Sequence, residues 1–292
     1  MTRIPINGVS LHVEETGSGE SIVFVHEFGG DARSWQPQVE HFSRHYRCVV
    51  YNARGYLPSD VPEDERLYGQ QLSTADLKGV LDALDIEQAF VVGLSMGAYT
   101  GLMLTVQHPE RVRALVFASG GSGAYPETRT RFLVDTNAVA EKMLQANSVD
   151  AAGISSGPSR VQLQNKNQTV WEQFAAHLSE HSAVGSAYTL RHVQAERPSL
   201  YDLTTELGAV TTPTLLVVGD EDESCLDVNL YLKRTMPYAG LSIFPKSGHL
   251  LNLEEPERFN ALIDEFFQTV KAGQWSRRDP RSETVSAFGQ KT

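Results

Sequence analysis

The sequence predicts an α/β fold: a doubly wound, mostly parallel sheet of eight strands, interrupted by a helical insertion. Three observations carry this. Short continuous apolar runs at residues 22–25, 89–92, 114–118 and 214–218 have the length and composition of strands buried on both faces. Between them lie stretches of helical period, such as Leu77, Val80, Leu81 and Leu84, so strands and helices alternate. Residues 122–199 break this alternation. They are polar and rich in Gln, Asn and Ser, yet carry Phe132, Leu133, Met143, Leu144, Trp171, Phe174 and Leu178, which suits a helical layer over the sheet better than a linker.

The chain opens with strands expected at residues 4–6 and 11–15, flanking Asn7-Gly8, a strong hairpin signal. Gly17-Ser18-Gly19 then breaks the chain before the strand at 22–25. A short helix is expected near Ser34-Trp35 and a strand at 47–51. Residues 52–60 form a loop by their Gly, Pro and Ser-Asp content. Ser73-Thr74-Ala75-Asp76 resembles a helix start. After the strand at 89–92 a helix-like run ends before His108-Pro109. Within the insertion, helical pieces are expected around 139–144 and 171–178. The sheet resumes at 214–218, followed by a helix near 227–234 and a last strand at 241–244. The closing helix starts at Pro256, a residue suited to a first helical turn, with Phe259, Leu262, Ile263, Phe266 and Phe267 on one face. The expected organisation is a core of residues 1–121 and 200–271, an insertion of 122–199, and a polar tail of 272–292 that is disordered or loosely held.

Composition narrows the function. The 292 residues are 41% hydrophobic and 21% charged, as in soluble globular proteins. A net charge of -11 opposes binding to nucleic acid or anionic lipid. No run is apolar enough to span a bilayer, and Met1-Thr2-Arg3-Ile4-Pro5 lacks the apolar core of a signal peptide. Cys48 and Cys225 make no disulfide framework. The expectation is a cytoplasmic enzyme for a small-molecule substrate, without nucleic-acid or membrane partners and with a homo-oligomer left open. No cofactor is expected. Neither is a metal, because the acidic run Asp220-Glu221-Asp222-Glu223 has no histidine at ligand spacing.

The chemistry centres on Gly93-Leu94-Ser95-Met96-Gly97. G-x-S-x-G is a weak motif alone, but here a strand leads in and a helix leads out, the context of a nucleophile elbow. Flanking glycines let the turn be tight enough to expose a strained serine. The helix then points its N-terminus, including the Met96 N–H, at any developing oxyanion. A serine hydroxyl needs a base, and the base needs a carboxylate to fix its tautomer. His249 follows the last strand in a Gly-flanked loop, and Asp222 follows the strand before it. In a parallel sheet both loops leave the same carboxyl edge as Ser95. The Gly-containing turn His26-Glu27-Phe28-Gly29-Gly30, leaving a buried strand, is where a second oxyanion N–H is usually found.

Together these residues make the chain resemble α/β-hydrolase-fold serine hydrolases over roughly residues 4–270, with the insertion as the cap. The family's G-x-x-D appears as Gly219-Asp220-Glu221-Asp222, which favours Asp222 over Asp220 as the acid. Gly248-His249, followed by Glu255-Pro256 and Phe259, is similar to the family's closing signature. The resemblance implies that Phe28 and Met96 supply the oxyanion N–H groups. Two departures stand out: the H-G turn is His26-Glu27, and the usual D-x-R-G is Asn52-Ala53-Arg54-Gly55. The elbow and short cap look like the enol-lactonase and haloperoxidase-like esterase group, implying a carboxylic ester or enol-lactone substrate and an acyl-enzyme.

Alternatives remain open at this level. Meta-cleavage carbon–carbon hydrolases use the same triad, and a binding receptor or an interaction protein could use the same scaffold. Glu27, Trp171 and Phe174 are the candidate substrate-contacting residues, with Trp171 equally readable as core of the insertion. The Glu27 side chain is expected to turn away from Ser95 and to be held by Arg54 or a backbone N–H. His26 is expected to be structural, bonding a loop backbone. His177, His181 and His192 are expected on the solvated surface, and Cys48 in the core.

Overall fold

The computed structural model describes residues 2–283. All eight expected strands form: β1 (Thr2–Ile6), β2 (Val9–Thr16), β3 (Ser21–Val25), β4 (Arg47–Tyr51), β5 (Ala89–Leu94), β6 (Val112–Ala118), β7 (Thr214–Gly219) and β8 (Ala239–Phe244). They make one sheet in the order β1-β2-β4-β3-β5-β6-β7-β8. The β1–β2 and β2–β4 pairs are antiparallel and the others parallel. Asn7 and Gly8 both take positive φ, 47° and 80°, matching the hairpin twist expected of that dipeptide.

Along β5, alternate side chains serve two different cores. Phe90, Val92 and Leu94 enter one, with Trp35, Phe42, Phe259, Ile263, Phe266 and Phe267. Ala89 and Val91 enter the other, with Leu77, Val80, Leu81, Leu102 and Leu232. Helices therefore cover both faces. α1 (Gln36–Phe42) and, late in the chain, the Pro256 helix lie on one side. α2 (Gln70–Ala83), α3 (Met96–Gln107) and the helix after β7 lie on the other.

The order of the parallel strands brings their carboxyl ends, and thus the loops after β3, β5, β6, β7 and β8, to one edge. Between β6 and β7 the chain forms α4 (Pro126–Ala146), α5 (Val161–Lys166), α6 (Gln168–Ser179) and α7 (Ala183–Tyr188), with a π-helical turn at Thr189–Ala195. These elements and the turns between them touch the loops at that edge. Lys166 donates to Ser247 Oγ at 2.9 Å, Arg160 to the Phe28 carbonyl at 3.0 Å, and His181 pairs with Asp31 at 3.1 Å. The core resumes with α8 (Thr204–Ala209), α9 (Leu226–Thr235), α10 (Leu251–Glu254) and α11 (Pro256–Lys271).

Three expectations need correction. α2 starts at Gln70, not at Ser73. Ser73 and Thr74 sit in its first turns, where their hydroxyls bond back to the Gly69 and Gln70 carbonyls. His181 is buried, because its ring nitrogen meets the buried Asp31 carboxylate. The tail is docked at least to residue 278. Trp275 packs edge-on against Phe266 at 4.6 Å and donates to the Tyr238 carbonyl at 2.8 Å, in space opened by Gly240. Arg278 N donates to the Pro237 carbonyl. Residues 284–292 lie outside the described part of the chain.

Candidate active site

Ser95 sits between β5 and α3 at φ 53° and ψ -110°, a strained position for a residue with a side chain. The strain is held from both sides. Ser95 N donates to the Ala118 carbonyl at 2.8 Å, and Tyr99 N donates to the Ser95 carbonyl at 3.1 Å. The flanking glycines are required by close approach. A Cβ on Gly93 would strike the Gly97 carbonyl, and one on Gly97 would strike the Val25 carbonyl. The serine side of the turn therefore depends on β3 lying directly beside it. Met96 opens α3, so its N–H is one of those without an intrahelical acceptor.

Asp222 and His249 meet across two loops. Asp222 Oδ2 lies 2.7 Å from His249 Nδ1, and both side chains are buried. Ser224 Oγ donates to the other Asp222 oxygen at 3.1 Å. Burial pushes the Asp222 carboxyl up, but the charge and hydrogen bond of His249 outweigh it and hold the group below its ordinary value. With Nδ1–H donating to Asp222, Nε2 is the ring nitrogen left to exchange a proton with the nucleophile. Asp220 is elsewhere: its Oδ1 accepts from Ser247 N, a loop contact. Among the described residues Ser95 Oγ makes no hydrogen bond to His249. Such bonds are often long in unliganded sites and tighten with substrate.

The His249 loop is pinned by a residue the sequence reading passed over. The buried Glu254 accepts from Gly248 N at 2.7 Å and from Leu250 N at 3.0 Å, the two neighbours of His249. Only its spacing, five residues after His249, could have signalled it.

Phe28 follows the end of β3, and its N–H has no backbone acceptor among the described residues. Its direction is set by the other end of the same peptide. The Glu27 carbonyl accepts from His26 Nδ1 at 2.8 Å and from Gly30 N at 3.3 Å. In a trans peptide the Phe28 N–H must then point the opposite way. Ala53 N donates to His26 Nε2 at 3.0 Å, so the proton of the neutral ring sits on Nδ1. His26 is structural, as its position implied. Glu27 does not need positive φ; Gly29 carries it instead, at 85°. The altered turn thus keeps a backbone that a non-glycine residue can adopt.

The remaining candidates fall differently. Glu27 is fully buried, and burial pushes its carboxyl up, opposed chiefly by Arg160. Its expected partner Arg54 is committed elsewhere, to Asp76 at 2.6 and 2.8 Å, while Ser34 Oγ lies 3.4 Å from Glu27 Oε1. Arg160 and Phe174 pack as a cation over a ring at 4.8 Å. Phe174, with Gly29, Gly30, Asp31 and His177, also lines a cavity of about 310 Å³ beside the turn; neither Ser95 nor His249 does. Trp171 donates from its indole to the Ser155 carbonyl at 2.8 Å, a contact inside the insertion. No sequence signal marked Arg160, which lies in a polar stretch without periodicity. Cys225 is buried beside Asp222. Its sulfur and the Asp222 and His249 ligand atoms lie within 4.8 Å of one another. Burial holds the Cys225 thiol protonated, and it donates to the Ser119 carbonyl, so this group is a poor fit to a metal.

The alpha/beta hydrolase fold family model matches residues 20–256. The chain belongs to this family. It is 28% identical over 283 residues to a 2-hydroxy-6-oxononadienedioate/2-hydroxy-6-oxononatrienedioate hydrolase of Paraburkholderia xenovorans, covering 88% of this chain and 90% of that protein. It is 28% identical over 270 residues to 3-oxoadipate enol-lactonase 1 of Acinetobacter baylyi, covering 90% and 95%. A thermophilic esterase from Thermogutta terrifontis superposes with a TM-score of 0.81 at 25% identity, covering 92% of this chain and 99% of that one. This chain is a hydrolase, similar to an enol-lactonase and to carbon–carbon-bond hydrolases of this fold. No described helix is long and apolar enough to cross a membrane.

Proposed function

We propose that this hydrolase cleaves a small carboxylic ester or enol-lactone through an acyl-enzyme, with Ser95 as nucleophile, His249 as base and Asp222 as its orienting acid. The observation that carries this reading is the buried Asp222–His249 hydrogen bond at the sheet edge where Ser95 is held in a strained turn. Ser95 Oγ attacks the acyl carbon as His249 Nε2 takes its proton. The oxyanion is received by the N–H groups of Phe28 and Met96. His249 then returns the proton to the leaving oxygen, and water, activated by the same histidine, releases the acid and frees Ser95. Residues 122–199 serve as the cap over this site, and Phe174 and Glu27 shape its surroundings. The site needs no cofactor for this chemistry.

A second reading is carbon–carbon cleavage of the meta-cleavage type. It is favoured by the similarity to the dienedioate hydrolase over 88% of the chain. The two share nucleophile and base and differ in the bond presented to them. The test is fluorophosphonate labelling with mass-spectrometric mapping, alongside turnover of esters, enol-lactones and dienoate ketones, with Ser95→Ala as control. Labelling at Ser95 with ester or lactone turnover supports the first reading. Turnover of dienoates alone selects the second, and absence of any adduct on Ser95 in folded protein sinks both.

A further inference from the structure

An acidic and a basic side chain are buried on either side of the Phe28 turn, one from the loop after β3 and one from the insertion. Glu27 is 0% exposed and Arg160 3%. The Glu27 carboxyl lies over Gly30, where a Cβ would occupy its space, and Oε2 has no hydrogen-bond partner. Arg160 stacks on Phe174 and donates from Nη2 to the Phe28 carbonyl, while its Nε has no partner. The two groups form no direct ion pair, yet each is the leading charge acting on the other. Arg160 draws the Glu27 carboxyl down against burial, and Glu27 draws the Arg160 guanidinium up against it. Either charge buried alone would be strongly unfavourable.

We propose that Arg160 is a positioning residue supplied by the insertion. Seated between the Phe174 ring and the Phe28 carbonyl, and balanced by Glu27, it clamps the turn that aims the Phe28 N–H. The turn is then held at both of its carbonyls. His26 and Gly30 bond the Glu27 carbonyl from the core, and Arg160 bonds the Phe28 carbonyl from the insertion. Without the arginine of the insertion the second hold is lost, and Glu27 loses the leading positive charge acting on it. The glutamate at position 27, where the family resemblance implies the glycine of H-G, is thereby explained as the partner of this arginine.

The kinetic part of this inference rests on the hydrolase reading; the structural part does not. The full-length protein is compared with E27Q, R160M, R160K and the E27Q/R160M double variant. Hydrogen exchange is followed at residues 27–30 and in α6. Both single neutralisations should speed exchange in both segments, and the double variant should be no faster than the worse single. Unchanged exchange at 27–30 in E27Q and R160M overturns the clamp, whatever the activity. With an activated ester, R160M should lower kcat roughly 10- to 100-fold, as misplacement of reacting groups does, with little change in KM. R160K keeps charge but not the planar fork, and should fall between. Lost stability with kcat unchanged would make Arg160 a packing residue only. If R160M does not fold, R160K and E27Q decide. A wild-type protein that neither labels at Ser95 nor turns over ester sinks the hydrolase reading, and the exchange comparison still decides the clamp.

Discussion

Asp222 Oδ2 and His249 Nδ1 lie 2.7 Å apart, although the residues are 27 positions apart in sequence and leave different strands. The side chain of the neighbouring Asp220 instead accepts from a loop N–H, that of Ser247. This contrast makes the assignment of the acid testable. Asp222→Asn should lower turnover by roughly 10³–10⁴ by stabilising the wrong imidazole tautomer. Asp220→Asn should leave turnover within about tenfold of wild type. Steady-state kinetics on one ester check both, and the reverse ranking would move the acid to Asp220.

Trp171 and Phe174 lie on the same helix but have different surroundings. Trp171 is tied to the Ser155 carbonyl, whereas Phe174 carries Arg160 beside the oxyanion turn. Trp171→Phe should lower the melting temperature, since a lost hydrogen bond costs about 1 kcal/mol, and leave the preference between two esters unchanged. Phe174→Leu should change both kcat and that preference. Equal effects on preference from the two variants would mean that both rings face substrate.

Glu254 presents its two oxygens to the N–H groups on either side of His249. Glu254→Ala leaves both donors buried without partners, at roughly 1–3 kcal/mol each. Turnover should fall with stability, because the loop carrying the base loses its fixed shape. Glu254→Gln keeps one acceptor but turns an N–H toward the other donor, so its effect should be intermediate. Thermal unfolding and kcat measured on both variants check this; wild-type kcat in Glu254→Ala would confine the residue to stability.

What the sequence revealed and what it withheld follow one physical division. Buried parallel strands are written as continuous apolar runs, so 22–25, 89–92 and 114–118 announced β3, β5 and β6, and the loop order placed Ser95, Asp222 and His249 at one edge. Glu254 and Arg160 act through contacts with backbone atoms, which leave no residue pattern on the partner's side. His181 was misplaced for a related reason: nothing near it in sequence indicates that Asp31, 150 positions away, would bury it. Trp275 was lost in a polar tail because a single aromatic docking against Phe266 has no period to detect.

His26 sets the last prediction, because both its ring nitrogens are used only by the neutral form. Nδ1 donates to the Glu27 carbonyl, and Nε2 accepts from Ala53 N. Protonation would set a second N–H against the Ala53 N–H. Burial, partly opposed by the Glu27 carbonyl, lowers its pKa from 6.5 to about 4. The unfolded chain therefore binds this proton first as the pH falls. The stability His26 contributes is complete above about pH 6.5 and drains away down to about pH 4, a loss on the order of 3 kcal/mol. Asp222, whose carboxyl is held low, loses its contribution only at more acid pH, near and below the ordinary value of 3.8. Glu27, raised by burial, acts in the opposite sense: its contribution is present at low pH and is lost as pH rises through its folded value. Denaturant unfolding between pH 7.5 and 4.5 should show wild-type stability falling across this window. His26→Asn, which keeps a donor near Nδ1 but does not titrate, should start less stable and fall more gently. Parallel slopes for the two proteins would place the titrating group elsewhere and remove His26 as the source of acid sensitivity.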